Sequence, residues 1–446
     1  MSNAYDYDSF TPRRAKFVKT WTPRLVAFGE LIDGYDLLVI GVGILYLKPY
    51  FGMTPGEVGW LTASAFLGAC VGLLVFGKIA DKYGRLPIFR WNLIFFIIAS
   101  IIAALSTNVP ILILTRFILG IAVGMDIPVS QAFLAEISSN EQRGRLAGSL
   151  PNIMWLLGAI SSVLLALIIH PLAGDSSWRW LFGIAALPAL FVYLMRRFLP
   201  ESPRWLLEHG HEEEAMKVFK MLELDPAPAL RAIEEKKAKV NQGPVRITGK
   251  IRNRVIAVTL FFALQSFAGS VATVTGPEIL NDTWAKASSD TTVVTAITQL
   301  FGFGLGILAV VIGAVIIDKV DRRKFGIVMC SVLFVLAVGM GVFSKSPVMI
   351  AILYVIFSFS TWFGPGVLAW IWAAEAVPTE VRGLGTGIAQ TGSRLMIALN
   401  GLITPLLAAS MGTWRITLYS LAYLVIIGIL IGNKWLSTTG QDLMES

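Results

Sequence analysis

Three carboxylates stand within the first long apolar stretch of the chain, where charged groups are costly. Glu30, Asp33 and Asp36 follow one another at intervals of three in FGELIDGYDLLVIG, so on a helix they lie along one gently drifting side. Carboxylates inside a bilayer usually face a cavity and serve ions or protons. We therefore predict that Asp33 and Asp36 take part in proton coupling, whereas Glu30 could instead lie near the cytoplasmic interface and be solvated.

A cation that could neutralise Asp36 stands in a later apolar stretch, RFILGIAVGMDIPVS, which begins with Arg116. The two helices enter from opposite sides, so Asp36 and Arg116 reach similar depths, and protonation of the Asp would release the Arg. Gly120 and Gly124, four residues apart, are expected to let a neighbouring helix approach closely. Asp126 could be a packing or gate residue.

Arg394 is the unusual residue of the second half. It lies a dozen residues past Arg382, hence near the bilayer midplane, where a guanidinium faces a partner or a polar cavity. No acidic residue is obvious within the second-half spans, so we expect Arg394 to bind an anion; pairing with a protein carboxylate is the alternative. Trp362, Trp370 and Trp372 lie nearby, and packing or interface anchoring is the commoner role of such tryptophans.

The elements that position these residues are long apolar helices. The 446 residues are 55% hydrophobic and 15% charged, with a mean hydropathy of +0.69, which is too apolar for a soluble surface. Runs of this length fit helices that cross a core about 30 Å thick. The predicted fold is an all-α integral membrane protein of about twelve transmembrane helices. The spans lie near residues 24–50, 57–78, 87–106, 110–134, 146–170, 178–198, 252–280, 292–317, 325–344, 347–373, 383–410 and 413–436.

The distribution of charge excludes some functions. The net charge of +8 does not indicate nucleic-acid binding, because most Lys and Arg fall in segments that alternate with sparsely charged ones. This asymmetry predicts a cell inner (plasma) membrane protein with both termini in the cytoplasm. Cys70 and Cys330 lie in apolar spans, so no disulfide framework is expected. We also expect no cofactor or metal and no enzymatic activity, because no nucleophile and base share one polar helix face.

A duplicated motif divides the chain into halves. GKIADKYGR, from Gly77 to Arg85, returns in degraded form as GAVIIDKVDRR from Gly313 to Arg323. Such a stretch forms a polar turn just outside a membrane, with charges that can pair with neighbouring helix ends. We therefore predict an N-terminal bundle at 1–198, a cytoplasmic linker at 199–250 and a C-terminal bundle at 251–446.

The linker carries apolar residues spaced among charged ones. Leu206, Ala215, Val218 and Leu222 would form one face of short amphipathic helices, and Pro200 and Pro203 favour a defined start. A solvated tether is the alternative interpretation.

These motifs resemble those of the major facilitator superfamily over residues 20–436. GKIADKYGR is similar to its loop motif and RFILGIAVG to its fourth-helix motif, while PESPRWL, EISSNEQRGR and EAVPTEVRG resemble its sugar-porter and organic-ion branch. The resemblance implies a monomer of two pseudo-symmetric six-helix bundles that rock around a midplane site. It further implies cytoplasmic gate residues rather than ligands at Gly77, Asp81, Arg85, Glu136, Arg145, Glu201, Arg204, Asp318, Arg322, Glu375 and Arg382.

The departures from this branch point to the substrate. Sugar porters carry a Gln-Gln pair, an Asn and a Tyr-Tyr pair in the seventh helix, where LQSFAGSVATVTGPEIL keeps Gln265 but lacks most of the set. Arg394 falls where sugar porters usually have Trp, and a guanidinium suits a carboxylate better than a hydroxyl-rich ring. DGYD also resembles the DGFD motif of aromatic-acid/proton symporters.

The sequence therefore predicts a proton-coupled importer of small organic anions, benzoate-like or nicotinate-like. Arg394 would bind the carboxylate, and Trp370, Gln265, Asn152 and Tyr35 would line the ring. Asp36, sharing its proton with Asp33, would free Arg116 on protonation. The alternatives are a sugar or polyol symporter with a redesigned pocket and a transporter-like receptor that binds a nutrient without moving it.

Overall fold

The N-terminal part of the chain folds into a bundle of long helices. The computed structural model describes residues 12–137, 150–240, 249–285, 290–317, 319–375 and 382–437. The first helices are α1 (Pro12–Phe51), α2 (Pro55–Tyr83), α3 (Arg85–Ala104), α4 (Val109–Glu136), α5 (Leu150–Ala173), α6 (Ser177–Ile184) and α7 (Ala186–Arg196). The short helices α6 and α7 follow one another across Ala185 and together make one crossing.

A segment of three shorter helices joins this bundle to a second one. They are α8 (Pro203–Glu208), α9 (Glu212–Leu222) and α10 (Ala227–Val240). The second bundle contains α11 (Gly249–Gly269), α12 (Gly276–Trp284), α13 (Thr291–Ile316), α14 (Arg322–Val342), α15 (Pro347–Thr361), a π-helical turn (Trp362–Gly366), α16 (Val367–Glu375), α17 (Arg382–Met411) and α18 (Trp414–Gly432). The boundaries predicted at residues 198 and 251 lie beside the end of α7 and the start of α11.

The helices are long and apolar enough to cross a membrane. Ten stretches of the described residues meet this requirement, and one of them, Leu150–Arg196, is 47 residues long and contains two crossings. Helix α1 adds a crossing that carries the three carboxylates. Large apolar side chains on the outside of the bundles are widely exposed, among them Leu172 and Val335. The all-α membrane fold with about twelve crossings is therefore confirmed.

Local sequence signals set several helix starts. Thr54 forms a capping box with Glu57 and is followed by a proline at the first turn of α2. Asn108 accepts a hydrogen bond from the backbone N–H of Ile111 at 3.0 Å at the start of α4. Asp321 accepts one from Lys324 at 2.9 Å at the start of α14. These side chains satisfy backbone donors that have no partner within the helix.

Small residues bring α2 and α4 into close contact, as the sequence predicted. A Cβ on Gly120 would lie 1.9 Å from the carbonyl oxygen of Ala65, and a Cβ on Gly124 would lie 2.3 Å from that of Ala69. Any larger side chain would force the two backbones apart. The structural role expected for this glycine pair is confirmed.

The short linker helices pack against the N-terminal bundle. Leu206, Ala215, Val218 and Leu222 are buried in a cluster that also contains Val18 and other apolar side chains of the first bundle. This burial agrees with the amphipathic interpretation of the segment. We call the end of the molecule where α8–α10 pack the linker end, and the opposite end the far end.

The two bundles contact each other at the far end. On α2, a Cβ at Gly59 would lie 2.7 Å from the carbonyl oxygen of Leu402 on α17. His170 of α5 lies with Nε2 3.2 Å from the Oδ2 carboxylate oxygen of Asp290, which precedes α13. Nearer the linker end, a cavity separates the bundles.

Candidate functional site

A cavity of about 550 Å³ lies between the two bundles, within the range of small-molecule sites. Its N-terminal wall comes from α1, α4 and α5, and its larger C-terminal wall comes from α11, α13, the π-helical turn, α16 and α17. The lining reaches Gln131, near the end of α4, and Arg322, the first residue of α14. The cavity therefore extends towards the linker end, while the far end is closed by contacts between the bundles.

One side of helix α17 lines the cavity, mostly with polar side chains. Thr386, Gln390, Ser393, Arg394 and Ile397 face the cavity because residues three or four apart lie on one side of a helix. Arg394 therefore lies at the central position between the bundles that was expected from the sequence. Its signal in the sequence was a charge placed a dozen residues past Arg382, near the bilayer midplane. Gln390, one turn earlier on the same side of the helix, could have been found from the same spacing.

Arg394 has no hydrogen-bond or ion-pair partner among the described residues. It lies close enough to Glu30 and Asp33 to interact with them electrostatically. Glu30 belongs to the opposite wall, so the two bundles present charges of opposite sign to one cavity. A guanidinium in such a place is well suited to a planar anion that can accept two parallel hydrogen bonds.

Aromatic side chains form the flat parts of the cavity. Trp155 of α5 and Trp362 of the π-helical turn meet across the bundles with ring centroids 5.7 Å apart. Trp370 lies edge to face with Phe262, with centroids 5.4 Å apart. Trp372 instead packs within the second bundle and is almost completely buried. Trp155 was missed at the sequence level, since nothing distinguishes it from a packing tryptophan.

The other residues predicted to line the substrate site divide into two groups. Asn152 and Gln265, like Trp370, line the cavity. Tyr35 does not, because its hydroxyl donates a hydrogen bond to the carbonyl oxygen of Leu181 at 2.7 Å and its ring is buried in the first bundle. The prediction for Tyr35 is corrected: it faces α6, on a different side of α1 from Glu30.

Asp36 and Arg116 form the pair that the sequence predicted. Nη1 of Arg116 lies 2.7 Å from Oδ1 of Asp36, and the side chains are 0% and 1% exposed, respectively. Arg116 Nη2 also donates to the backbone carbonyl of Asp36 at 2.8 Å, and the guanidinium lies over the ring of Phe182. Removing only one partner of such a buried pair lowers the stability of the protein strongly, because the other charge stays buried without a counter-charge.

Glu30 departs from the solvated alternative considered for it. It is 5% exposed, lines the cavity and accepts a hydrogen bond from the hydroxyl of Ser130 at 2.8 Å. Helix α1 continues well beyond the linker side of this residue, which places Glu30 inside the bundle rather than at its edge.

Asp33 lies beside a second buried ion pair. Asp126 is 3.1 Å from Nη1 of Arg196 and also accepts a hydrogen bond from the amide of Asn92. Asp33, Asn92 and Asp126 line one small cavity, and Oδ2 of Asp33 accepts no hydrogen bond from the described residues. Arg196 was missed because it looks like one of the basic residues that normally flank a span.

The loop motif GKIADKYGR forms a charged cluster at the linker end. Arg85 lies 2.5 Å from Asp81 and 3.4 Å from Glu136. Glu201 accepts backbone hydrogen bonds from Arg85 at 2.9 Å and from Leu86 at 3.1 Å, at the positive end of α3. Four of the predicted gate residues therefore belong to one cluster.

The turn between α2 and α3 requires a glycine. Gly84 has φ +103, and a Cβ there would lie 2.4 Å from a carboxylate oxygen of Glu201. Other residues are strained at this φ, and the side chain would displace the carboxylate that caps α3. Gly77, the first residue of the motif, is different, since a Cβ there would meet no described atom within 4 Å.

The remaining gate predictions have mixed outcomes. Arg204 lies 3.4 Å from Glu208, one turn along the same helix, rather than in the Glu201 cluster. Arg322 is buried and lines the cavity. Glu375 ends α16 and Arg382 begins α17. Arg145 and Asp318 lie outside the described residues.

Known transporters resemble the chain over nearly its whole length. A glucose transporter, GlcP, of Staphylococcus epidermidis is 30% identical over 444 residues, which cover 94% of this chain and 95% of the relative. The inner membrane metabolite transport protein YgcS of Escherichia coli is 31% identical, covering 93% and 90%. A D-xylose transporter of Levilactobacillus brevis is 29% identical, covering 81% and 80%.

A solved structure shares the fold. The xylose transporter XylE from E. coli, in a partially occluded inward open conformation, superposes with a TM-score of 0.80 at 19% identity, covering 93% of this chain and 97% of XylE. The family model described as sugar (and other) transporter matches residues 24–446. With the two bundles and the loop motif in place, the chain belongs to the sugar (and other) transporter family.

Proposed function

We propose that this protein is a proton-coupled symporter of small hydroxylated solutes, sugars or polyols, working by alternating access. The observation that carries the proposal is the cavity between the bundles, whose polar lining consists largely of side-chain amides and hydroxyls, including Gln265, Gln390, Asn152, Ser266 and Ser393. Amides and hydroxyls both donate and accept, as the hydroxyl groups of a sugar do. The glucose and D-xylose transporters among the relatives support the same substrate class.

Alternating access follows from where the bundles meet. The far-end contacts between α2 and α17 and between α5 and α13 close one end, while the cavity extends towards the other. Rocking of the bundles would part the far-end contacts and close the linker end. The charged cluster of Asp81, Arg85, Glu136 and Glu201 would then act as a gate at the linker end, by linking helix ends in one of the two states.

Proton coupling is assigned to Asp36 and Arg116. Protonation of Asp36 removes the charge that neutralises Arg116 and leaves the guanidinium its bond to the backbone carbonyl of Asp36. The contact between α1 and α4 is thereby weakened, so that α1 can shift against α4. Asp33, one turn nearer the cavity and with an oxygen that no described residue hydrogen-bonds, would pass the proton between solvent and Asp36. In this scheme one proton accompanies each substrate molecule.

A second candidate function is the import of aromatic or heteroaromatic monocarboxylates, such as benzoate-like or nicotinate-like acids. Arg394 favours it, because a guanidinium without a described partner faces the cavity together with Trp370 and Trp362. The named relatives transport sugars or metabolites, which supports the sugar class more strongly. The two candidates differ in whether hydroxyl groups or a carboxylate are required of the substrate.

We further propose that the protein lies in the cell inner membrane as a monomer with both termini in the cytoplasm. The basis for the orientation is the alternation of basic and sparsely charged segments, and the monomeric state is what the resemblance to the major facilitator superfamily implies. The linker end would then face the cytoplasm, and the far end, with His170 and Asp290, would face outwards. Protease accessibility in oriented vesicles would test this orientation.

Uptake into proteoliposomes tests the function. The purified protein is reconstituted, an inward proton gradient is imposed, and uptake of labelled glucose, xylose, an acyclic polyol, benzoate and nicotinate is followed. Uptake of a hydroxylated solute that collapses when the gradient is dissipated is expected. Uptake of the aromatic acids alone would establish the second candidate, and binding without any uptake would identify a receptor.

A further inference from the structure

Arg394 is the charged residue of the cavity that a neutral sugar would not satisfy. Its guanidinium lines the cavity, and no described residue lies within hydrogen-bond or ion-pair distance of it. A bound sugar would displace water from this group and offer it only neutral acceptors. Glu30 and Asp33 act on this guanidinium only at a distance, and dehydrating a guanidinium that has no direct hydrogen-bond or ion-pair contact is expensive. A ligand that has hydroxyl groups alone would thus match the amides and hydroxyls of the cavity but leave Arg394 without a counter-ion in contact with it.

The surroundings of Arg394 are equally poorly matched to a simple aromatic acid. Gln390 lies one turn before it, and the adjacent Ser393 hydroxyl lies 2.6 Å from that of Ser266. Gln265 and Asn152 also line the cavity. Benzoate has no hydrogen-bonding group outside its carboxylate, so the amides of Gln265 and Gln390 would lose water and gain no partner.

We propose that the substrate is a hydroxylated monocarboxylate, a sugar acid of the aldonate or uronate class. Its carboxylate would bind Arg394 through two parallel hydrogen bonds, and its hydroxyl groups would bind the amides and serine hydroxyls around it. Trp370 would cover an apolar face of the carbon chain or ring, as aromatic rings do for sugars. The proposal rests on the proposed function, of which it narrows the substrate class.

Glu30 limits the substrate to a single carboxylate. It lines the same cavity from α1, in the opposite bundle from Arg394, and the hydroxyl of Ser130 holds it in place. A diacid would bring a second negative charge into a cavity that already contains the carboxyl group of Glu30. We therefore expect the site to select mono-acids over di-acids of the same length.

Binding to the purified wild-type protein is the first measurement. Isothermal titration would compare glucuronate and gluconate with glucose, glucarate, benzoate and nicotinate at one pH. At least tenfold tighter binding of glucuronate or gluconate than of glucose and of glucarate is expected. Equal or tighter binding of glucose would overturn the inference and leave the proposed function intact. Binding of benzoate or nicotinate alone would overturn both.

Variants of Arg394 test the assigned contact. In Arg394→Gln the preference for glucuronate over glucose should fall at least tenfold, while Arg394→Lys should retain part of it, since charge remains without the planar fork. Arg252→Gln, an exposed arginine on α11 outside the cavity, is the matched control and should bind as wild type. An unchanged preference in a folded Arg394→Gln variant, judged by gel filtration and thermal midpoint, would refute the assignment.

The net charge moved during uptake distinguishes the sugar-acid assignment from the proposed symport function. One proton moving with a neutral sugar carries net charge into proteoliposomes, whereas one proton moving with a monoanion carries none. Electrical recordings on supported membranes should therefore show uptake of labelled glucuronate without a steady current. Uptake of neutral sugar with a current would refute the sugar-acid assignment and support the symporter, and absence of uptake of every hydroxylated solute would refute the symporter itself.

Discussion

Arg116 donates to Asp36 at two points, to the carboxylate oxygen Oδ1 at 2.7 Å and to the backbone carbonyl at 2.8 Å. One contact depends on the charge of Asp36 and the other does not. A proton on the carboxylate would therefore weaken the pair without removing every bond between α1 and α4. This arrangement suits a group that must change its charge within a folded membrane domain.

The first prediction concerns Asp36→Asn, which keeps the shape of the side chain and removes its charge. Uptake driven by a pH gradient should be lost, whereas exchange between internal and external substrate should continue, because exchange needs no net proton movement. Both are measured in the same proteoliposomes. Equal loss of uptake and exchange in Asp36→Asn would instead indicate a structural role.

The partner variant Arg116→Ala tests the stability of the pair. Its free energy of unfolding is expected to fall by about 3–5 kcal/mol, because the substitution leaves Asp36 buried and unpaired.

The second prediction concerns Glu30, whose charge faces the cavity. Around it lie two carboxylates, Asp33 and Asp126, and two guanidiniums, Arg196 and Arg394. In Glu30→Gln the hydrogen bond from Ser130 can persist while the negative charge is removed.

The affinity of Glu30→Gln for glucuronate should therefore rise several-fold, and glucarate should begin to compete, with little change for glucose. Titration calorimetry measures all three ligands. Glu57→Gln is the control, because it removes a carboxylate in the first turn of α2, at the far end of the molecule and outside the cavity. Weaker binding of glucuronate in Glu30→Gln would show that Glu30 contributes to binding of the acid rather than opposing it.

The third prediction uses two glycines of α2 that differ in their surroundings. A side chain at Gly59 would collide with the backbone of Leu402, whereas one at Gly56 would meet no described atom within 4 Å. Gly59→Leu should hold the far end open and reduce uptake at least tenfold, while ligand binding persists. Gly56→Leu should transport normally. Uptake by Gly59→Leu at the wild-type rate would mean that the far-end contact does not close during transport.

The fourth prediction concerns pH and the linker end. Burial raises the pKa of Glu201 above its ordinary value, although backbone N–H groups of Arg85, Leu86 and Ser202 favour the ionised form. Because the folded-state pKa exceeds the unfolded one, folding takes up a proton. Protonated Glu201 therefore makes its full contribution to the free energy of unfolding below the unfolded pKa of about 4.5. That contribution is lost as pH rises through the folded-state pKa.

Thermal midpoints in detergent between pH 4.5 and 8 would measure this contribution. The stability advantage of the wild type over Glu201→Gln, which does not titrate, should shrink as pH rises. Glu213→Gln, which changes an exposed glutamate of the same segment, is the matched control. A constant or widening difference between the wild type and Glu201→Gln would contradict the prediction.

The sequence was sufficient for the fold because hydropathy and charge act over whole segments. Every crossing was predicted within a few residues at most ends, and α1 was recognised despite its carboxylates. The Asp36–Arg116 pair was also predictable, since both residues are charged, both lie in apolar runs and their depths can be counted from the helix ends. The Gly120 and Gly124 contact follows from size and spacing alone.

The composition of the cavity was less predictable because it depends on helix rotation and on which helix lies opposite. Tyr35 and Glu30 are five residues apart on α1, yet one faces the packed core and the other faces the cavity. Trp155 and Arg196 have the same appearance in the sequence as packing or flanking residues. Only the assembled bundles show that they meet Trp362 and Asp126.

The ring contact between Trp155 and Trp362 joins the two bundles at the cavity. Each indole belongs to a different bundle, so the rocking proposed for transport would change the distance between them. Indole emission depends strongly on the immediate surroundings of the ring. The change in intrinsic fluorescence during transport should therefore contain a contribution from this pair, which is two of the thirteen tryptophans of the chain, without any attached label.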